Sequence, residues 1–414
     1  MLFVTVLVLG MCGYALPRLM GEKDLSDAGN RLGDQILYAI GNLQIEEQAM
    51  EARNIPLQAA EDVQISTPTS TPVFQGGDIT LTLGGTVALE KVIRQSGYDK
   101  SSRTYDFREI LYGISPIMQG DIRLIGLENL IMPSKSYTDI ISPDELSDLL
   151  SYSGANTLMT AFPKGYDQGM EGITETLMSL QSRDLETAGM YMSEGEAAVA
   201  RRIQEIRGMK VAVLGYSETL SSAGTKQMRK DDRSYALPLA AQAKADIEIA
   251  RNLGAHLVVV CISWGEAGKT TISASQRQLA QEIADAGADL IVGYGSRRIQ
   301  EITYLSAQRD SGQAPVLCIY GIGNLLSSST KTGALGGMLL HVQAHVDQSA
   351  HVSFSELTAT PTFIWRFQMD GKTVFRVVAA DREADGMSAD QKKKQASALD
   401  NTRKALEGSP VSLR

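Results

Sequence analysis

Few residues in this 414-residue chain are suited to metal or nucleophilic chemistry: it has four histidines and three cysteines. His256, His341, His345 and His351 share no ligand spacing, and His341 and His345 flank alternating apolar residues, as strand-face histidines do. Cys261 and Cys318 lie inside the apolar runs VVVCIS and VLCIY and read as small buried hydrophobes, with no C-x-x-C or Cys/His pairing beside them. Cys12 belongs to an apolar N-terminal run. There is no G-x-G-x-x-G, G-x-x-x-x-G-K-[ST], H-E-x-x-H or G-x-S-x-G. Dinucleotide-binding, P-loop, zincin and α/β-hydrolase chemistry therefore have no motif to rest on.

Any site must be carried by the elements the pattern predicts. Ile79–Leu83 and Arg123–Leu127 read as strands, and Asn156–Thr160 as another. VAVLGY at 211–216 and LVVVCIS at 257–263 are continuous apolar runs, the pattern of strands buried on both faces. Ser142-Pro143-Asp144-Glu145 predicts a capping box, and Gly154 the end of the helix that follows. Leu279 and Ile283 mark a helix stopped by Gly287, and DLIVG follows at once. VLCIYGIGN, from Val316, reads as the last strand of this kind. GMLLHVQAHV, HVSFSELTA and KTVFRVVAA then predict antiparallel strands, and a polar helix over 389–406 ends the pattern. The expectation is an α/β fold with a mixed sheet.

Composition adds limits. With 43% hydrophobic and 21% charged residues the chain can bury a large core. A net charge of −9, with Lys392-Lys393-Lys394 as the longest basic run, argues against nucleic acid as a partner. Residues 1–20 are expected to be a membrane anchor or signal segment: Met1–Leu16 is apolar and carries no charge before Arg18. Residues 21–58 read as a polar helical stalk and 59–77 as a Ser/Thr/Pro linker. A folded domain at 78–384 and a C-terminal polar helix and tail at 385–414 complete the expected organisation. The expected location is the cell membrane, with the domain extracytoplasmic.

Several segments carry a resemblance. They are ITLTLGGTVALEKVIRQSGYDKSSRTYDF (79–107), IRLIGLENLI, GANTLMTAFPKGYDQGMEGITETLMSL, VVVCISWGEAG, SQRQLAQEIADAGADLIVGYGSRRIQEI, IYGIGNLL and ATPTFIWRFQMDGKTVFRVV. In this order they resemble the CapA-type poly-γ-glutamate capsule-biosynthesis family, related to the calcineurin-like metallophosphoesterases. The resemblance implies a four-layer α/β/β/α sandwich with its site in loops at the strand ends. It also implies which residues should hold metal, and most are replaced. Gly84-Gly85 stands for Gly-Asp, Gly126-Leu127-Glu128 for Asn-Leu-Glu, and Phe162-Pro163-Lys164 for Asn-Asn-His, with Asp167 and Gly169 matching beyond it. Ser263-Trp264-Gly265 stands for His-Trp-Gly, Gly293-Tyr294-Gly295-Ser296-Arg297 for Gly-His-His-Pro-His, and Gly323-Asn324-Leu325 for Gly-Asn-Phe. Glu128 and Asp167 alone are too few ligands for a divalent transition metal.

The resemblance thus implies a degenerate ligand-binding site at Glu128, Lys164, Asp167, Ser263, Trp264, Tyr294, Arg297, Arg298 and Asn324, with no catalytic residue, metal or cofactor. Lys164, Arg297 and Arg298 are expected to converge. They could pair with Glu128, receive an acidic ligand, or be solvated loop residues. Trp264 also reads as packing and Ser263 as a serine without a base. The expected function is non-catalytic: assisting synthesis, export or anchoring of an anionic polymer such as poly-γ-glutamate beside membrane polymer-synthesis subunits. The alternatives are a metal-dependent phosphoesterase with an atypical ligand set and a purely structural membrane-complex subunit.

Overall fold

A computed structural model describes residues 74–309 and 312–414. The expected anchor (1–20), stalk (21–58) and most of the linker (59–77) lie outside the described residues. In chain order the strands of the two large sheets are β1 (Gly77–Val87), β2 (Ile122–Leu127), β3 (Thr157–Met159), β4 (Glu186–Ala188), β5 (Ile203–Ile206), β6 (Met209–Ser217), β7 (Leu257–Ser263) and β8 (Leu290–Tyr294). They continue as β9 (Ile302–Arg309), β10 (Gly312–Ile319), β11 (Asn324–Leu326), β12 (Gly336–Val346), β13 (Val352–Met369), β14 (Lys372–Ala379) and β15 (Ser412–Leu413).

The nine-stranded sheet runs β14-β13-β12-β1-β2-β3-β4, with β11 beside β1 and β15 beside β13. It is parallel from β1 to β4 and antiparallel from β1 to β14. The six-stranded sheet runs β9-β10-β8-β7-β6-β5, parallel at its centre and antiparallel at both edges.

Apolar alternation decides how the sheets stack. Ile79, Leu81, Leu83, Leu124 and Leu340 of the first sheet share one core with Val211, Val259, Cys261, Val292 and Ile319 of the second. The opposite face of the first sheet, with Ile125, Leu127 and Leu158, packs on helix α1 (Glu145–Tyr152) through Leu146, Leu149 and Leu150, and on Leu180 of α2 (Gly169–Gln181). The opposite face of the second, with Leu214, Val258, Val260 and Cys318, packs on Ile247 of α4 (Ala243–Asn252) and Ile283 of α5 (Ala274–Asp285). Between α2 and α4 lies α3 (Ser222–Asp231). The layers are therefore helices, sheet, sheet, helices. Every residue of β7 is buried, as its unbroken apolar run requires. Both Cys261 and Cys318 are buried and unbridged. The last helix, α6 (Ala389–Leu406), buries Ala398 against Phe363 and Trp365 of β13. Among the described residues no helix is long and apolar enough to cross a membrane.

Two local expectations fail for physical reasons. VLCIYGIGN is not one strand: Val316–Ile319 closes β10, and Asn324–Leu326 is β11 of the other sheet, with Gly323 at φ +89° turning the chain between them. The capping box at Ser142 does not form either. Ser142 Oγ is buried without a partner among the described residues, and the Asp144 carboxylate is drawn away by Arg183 (2.7 Å) and Ser179. Gly154 does end α1, in a left-handed conformation at φ +87°.

Candidate functional site

Parallel pairing of β1 with β2, and of β6, β7 and β8 with one another, brings the loops after these strands to one edge. The two sheets meet closely there. Tyr294, at the end of β8, lays its ring against Gly126 of β2: a Cβ on Gly126 would lie 2.5 Å from Tyr294 Cδ1. Gly126 is thus the residue that admits the tyrosine. Tyr294 is buried, and burial raises its pKa well above the ordinary phenol value, so it stays protonated.

Above this contact sits Arg297, in a left-handed backbone conformation (φ +54°). Its Nε donates to Glu128 Oε2 at 2.9 Å, its Nη2 donates to the same oxygen at 2.5 Å, and its Nη1 donates to Glu90 Oε1 at 3.2 Å. The other Glu90 oxygen accepts the backbone N–H of Ser328 at 2.7 Å and that residue's hydroxyl. One guanidinium thereby ties together the loops after β1, β2, β8 and β11. Burial raises the Glu128 pKa, and Arg297 opposes that rise; the Glu90 charge adds to it and Lys164 subtracts from it. Burial would lower the Arg297 pKa, but its two carboxylates outweigh that and raise it.

The other expected residues divide. Lys164 is exposed, near enough for its charge to act on Glu128, and makes no ion pair among the described residues. Asp167 faces elsewhere: its carboxylate accepts the Ser221 hydroxyl, which also caps α3 by accepting from Gly224 N at 2.9 Å. Trp264 packs, stacking on Tyr320 at 5.8 Å and donating Nε1–H to the Tyr320 carbonyl at 2.7 Å. Asn324 donates to Ser327 Oγ at 3.2 Å, while its Oδ1 has no partner among the described residues. Ser263 is buried, and among the described residues its Oγ has no hydrogen-bond partner, histidine or other.

Arg298 does not join the cluster. Its guanidinium lies over Gly333, where a Cβ would stand 2.0 Å from Nη1, and lines a separate groove. The expected convergence of three cations is therefore corrected to one half-buried cation, one exposed cation nearby and one directed away. The reason is the turn at Arg297, which sends consecutive side chains to different sides.

Glu90 was missed. It precedes a six-residue helix and carries no periodic or motif signal of its own. Glu218, whose carboxylate accepts Gly265 N at 3.1 Å, was missed likewise. The histidines lie outside the cluster: His256 stacks on Phe74, His341 contacts Thr82 and Thr360, His345 pairs with Asp78 and His351 with Asp347.

The donors at this edge do not fit a divalent metal. Its buried unpartnered atoms, Thr86 Oγ1, Ser263 Oγ, Tyr294 OH and Asn324 Oδ1, are neutral. Both carboxylates that converge there are already engaged by Arg297. Among the described residues no group of three or more His, Cys, Asp or Glu side chains is placed to hold a metal. A dication needs several anionic or imidazole ligands in fixed geometry.

A family described as "Bacterial capsule synthesis protein PGA_cap" matches residues 80–329. The PGA biosynthesis protein CapA of Bacillus subtilis (strain 168) is 24% identical over 310 residues, 71% of this chain and 74% of that protein. The capsule biosynthesis protein CapA of Bacillus anthracis is 25% identical over 240 residues, 54% of this chain and 55% of that protein. Among solved structures, the Haemophilus influenzae NAD nucleotidase NadN is 11% identical with a TM-score of 0.42; the match covers 82% of this chain and 64% of that one. A hypothetical protein from Thermus thermophilus is also 11% identical, with a TM-score of 0.36 over 68% of this chain and 98% of that one.

Proposed function

Because the chain belongs to the bacterial capsule synthesis protein PGA_cap family, we propose that it serves capsule biosynthesis without catalysing metal-dependent hydrolysis. In this reading it is a pseudoenzyme of the metallophosphoesterase-like sandwich, and it assists synthesis, export or anchoring of an anionic polymer such as poly-γ-glutamate. One observation carries the reading: Arg297 is bound to Glu128 and Glu90 at the edge where the family resemblance places metal ligands. A guanidinium there supplies fixed positive charge and needs no ion. It can orient loops, but it cannot generate a metal-bound nucleophile.

The relatives' names support the capsule role, and the apolar run Met1–Leu16 supports display at the cell membrane with the domain outside. Cell fractionation tests the second point: recovery of the full chain in the soluble cytoplasmic fraction overturns it. For the non-catalytic reading, the full chain is assayed against a generic phosphodiester with added Mn²⁺ and again with EDTA. Background hydrolysis under both conditions is expected; EDTA-sensitive turnover would identify a phosphoesterase with an atypical ligand set.

A further inference from the structure

Arg297 and Arg298 are neighbours with opposite fates. All three guanidinium nitrogens of Arg297, Nε, Nη1 and Nη2, are engaged by carboxylates. The Arg298 backbone is held, its carbonyl accepting the Ser296 hydroxyl at 2.9 Å, yet its guanidinium makes no hydrogen bond or ion pair among the described residues. It lines a groove of about 430 Å³ between its own loop and the C-terminal helix α6, with Thr270 and Gln300 on one side and Lys404 on the other. The position is built. Gln300 is 2% exposed and fixed by donating to the Lys269 and Thr271 carbonyls at 3.2 and 3.1 Å. Gly333 leaves the space in which the guanidinium lies.

A half-buried guanidinium with five donors and no acceptor is incompletely compensated, and the partner that matches its planar fork is a carboxylate or phosphate. Lys404 adds a second cation without an ion pair among the described residues. Of the acids on the groove wall, Glu301 is paired with Arg277 at 3.3 Å, and Glu407 is an exposed rim residue. The end of α6 also directs carbonyls toward this side, which opposes an anion near Lys404. Arg298 is therefore the main determinant.

We propose that the Arg298 groove is a carboxylate-binding subsite that takes side-chain carboxylates of an acidic polymer segment. The inference rests on the reading of the chain as a polymer-handling protein. A single contact of this kind is weak, so useful affinity comes from successive carboxylates along one chain.

The test is fluorescence anisotropy of a labelled oligoglutamate titrated with the full chain, with labelled oligoglutamine as the uncharged control. Wild type should bind oligoglutamate only, and more weakly as salt rises. Arg298→Ala should weaken binding by about tenfold, as the loss of one charge-assisted contact predicts, and Arg298→Lys should recover part of it. Lys404→Ala should weaken it by about twofold. Because the Arg298 guanidinium has no hydrogen-bond or ion-pair partner among the described residues, Arg298→Ala should melt as wild type does. Unchanged binding by Arg298→Ala, equal binding of oligoglutamine, or no binding by wild type overturns the subsite, and a large drop in the melting temperature of Arg298→Ala makes Arg298 structural instead. None of these outcomes touches the non-catalytic reading, which the hydrolysis assay tests separately.

Discussion

Replacing Arg297 by alanine should unmask a buried charge, and the loss should depend on pH. In the wild type, Glu128 has 14% of its side chain exposed and gives one oxygen to two Arg297 nitrogens; Glu90, 23% exposed, takes the third. Breaking a fully buried pair by removing one partner costs about 3–5 kcal/mol. Arg297 itself is 31% exposed, so water can reach part of the vacated space, and screening brings the expected loss to about 2–3 kcal/mol. That is a melting shift of several degrees in a domain of this size. The sign with pH follows from Glu128. Burial already raises its folded pKa, and without Arg297 the rise is larger. A group that binds protons more tightly when folded contributes stability that is complete below its unfolded pKa and is lost as pH rises through the folded one. The deficit of Arg297→Ala should therefore be widest near pH 8 and narrow toward pH 5. Thermal melts of both proteins at the two pH values measure it. A deficit equal at both, or no deficit at pH 8, refutes the assignment of Arg297 as the counter-charge of Glu128. The double variant Arg297→Ala/Glu128→Gln should be more stable at pH 8 than Arg297→Ala, because no buried carboxylate remains in that pair.

The contact between the sheets gives two further expectations. Gly126→Ala drives a Cβ to within 2.5 Å of the Tyr294 ring and should destabilise by about 1–3 kcal/mol; a melt unchanged from wild type contradicts this. Tyr294→Phe removes a buried hydroxyl that has no partner among the described residues, so the variant should melt no lower than wild type, and a drop of several degrees would mean that the hydroxyl is satisfied.

Sequence reading reached the strands best where burial leaves a strong pattern. LVVVCIS and VAVLGY are apolar on both faces because both faces are covered, and each lies within a central strand. Short edge strands such as β4 and β5 carry three or four residues and no such signal. The turn from β10 to β11 was illegible because Ile319 and Leu325 are equally apolar, although they serve different sheets. At the site, Arg297 and Glu128 could be matched by motif position, and the structure joins them. Glu90 and the divergence of Arg298 depend on a single positive φ at Arg297, which residue types at that position do not announce.

The central claim is that a guanidinium stands where the family resemblance places metal. Elemental analysis of the full chain, purified without chelator and then equilibrated with Mn²⁺, Zn²⁺ or Fe²⁺ before desalting, tests it most directly. The account predicts metal far below stoichiometric in every case, and at most a small rise for Arg297→Ala, since Glu90 and Glu128 alone make an incomplete ligand set. A stoichiometric metal in the wild type, removed by EDTA and lost in Glu128→Gln, would contradict it.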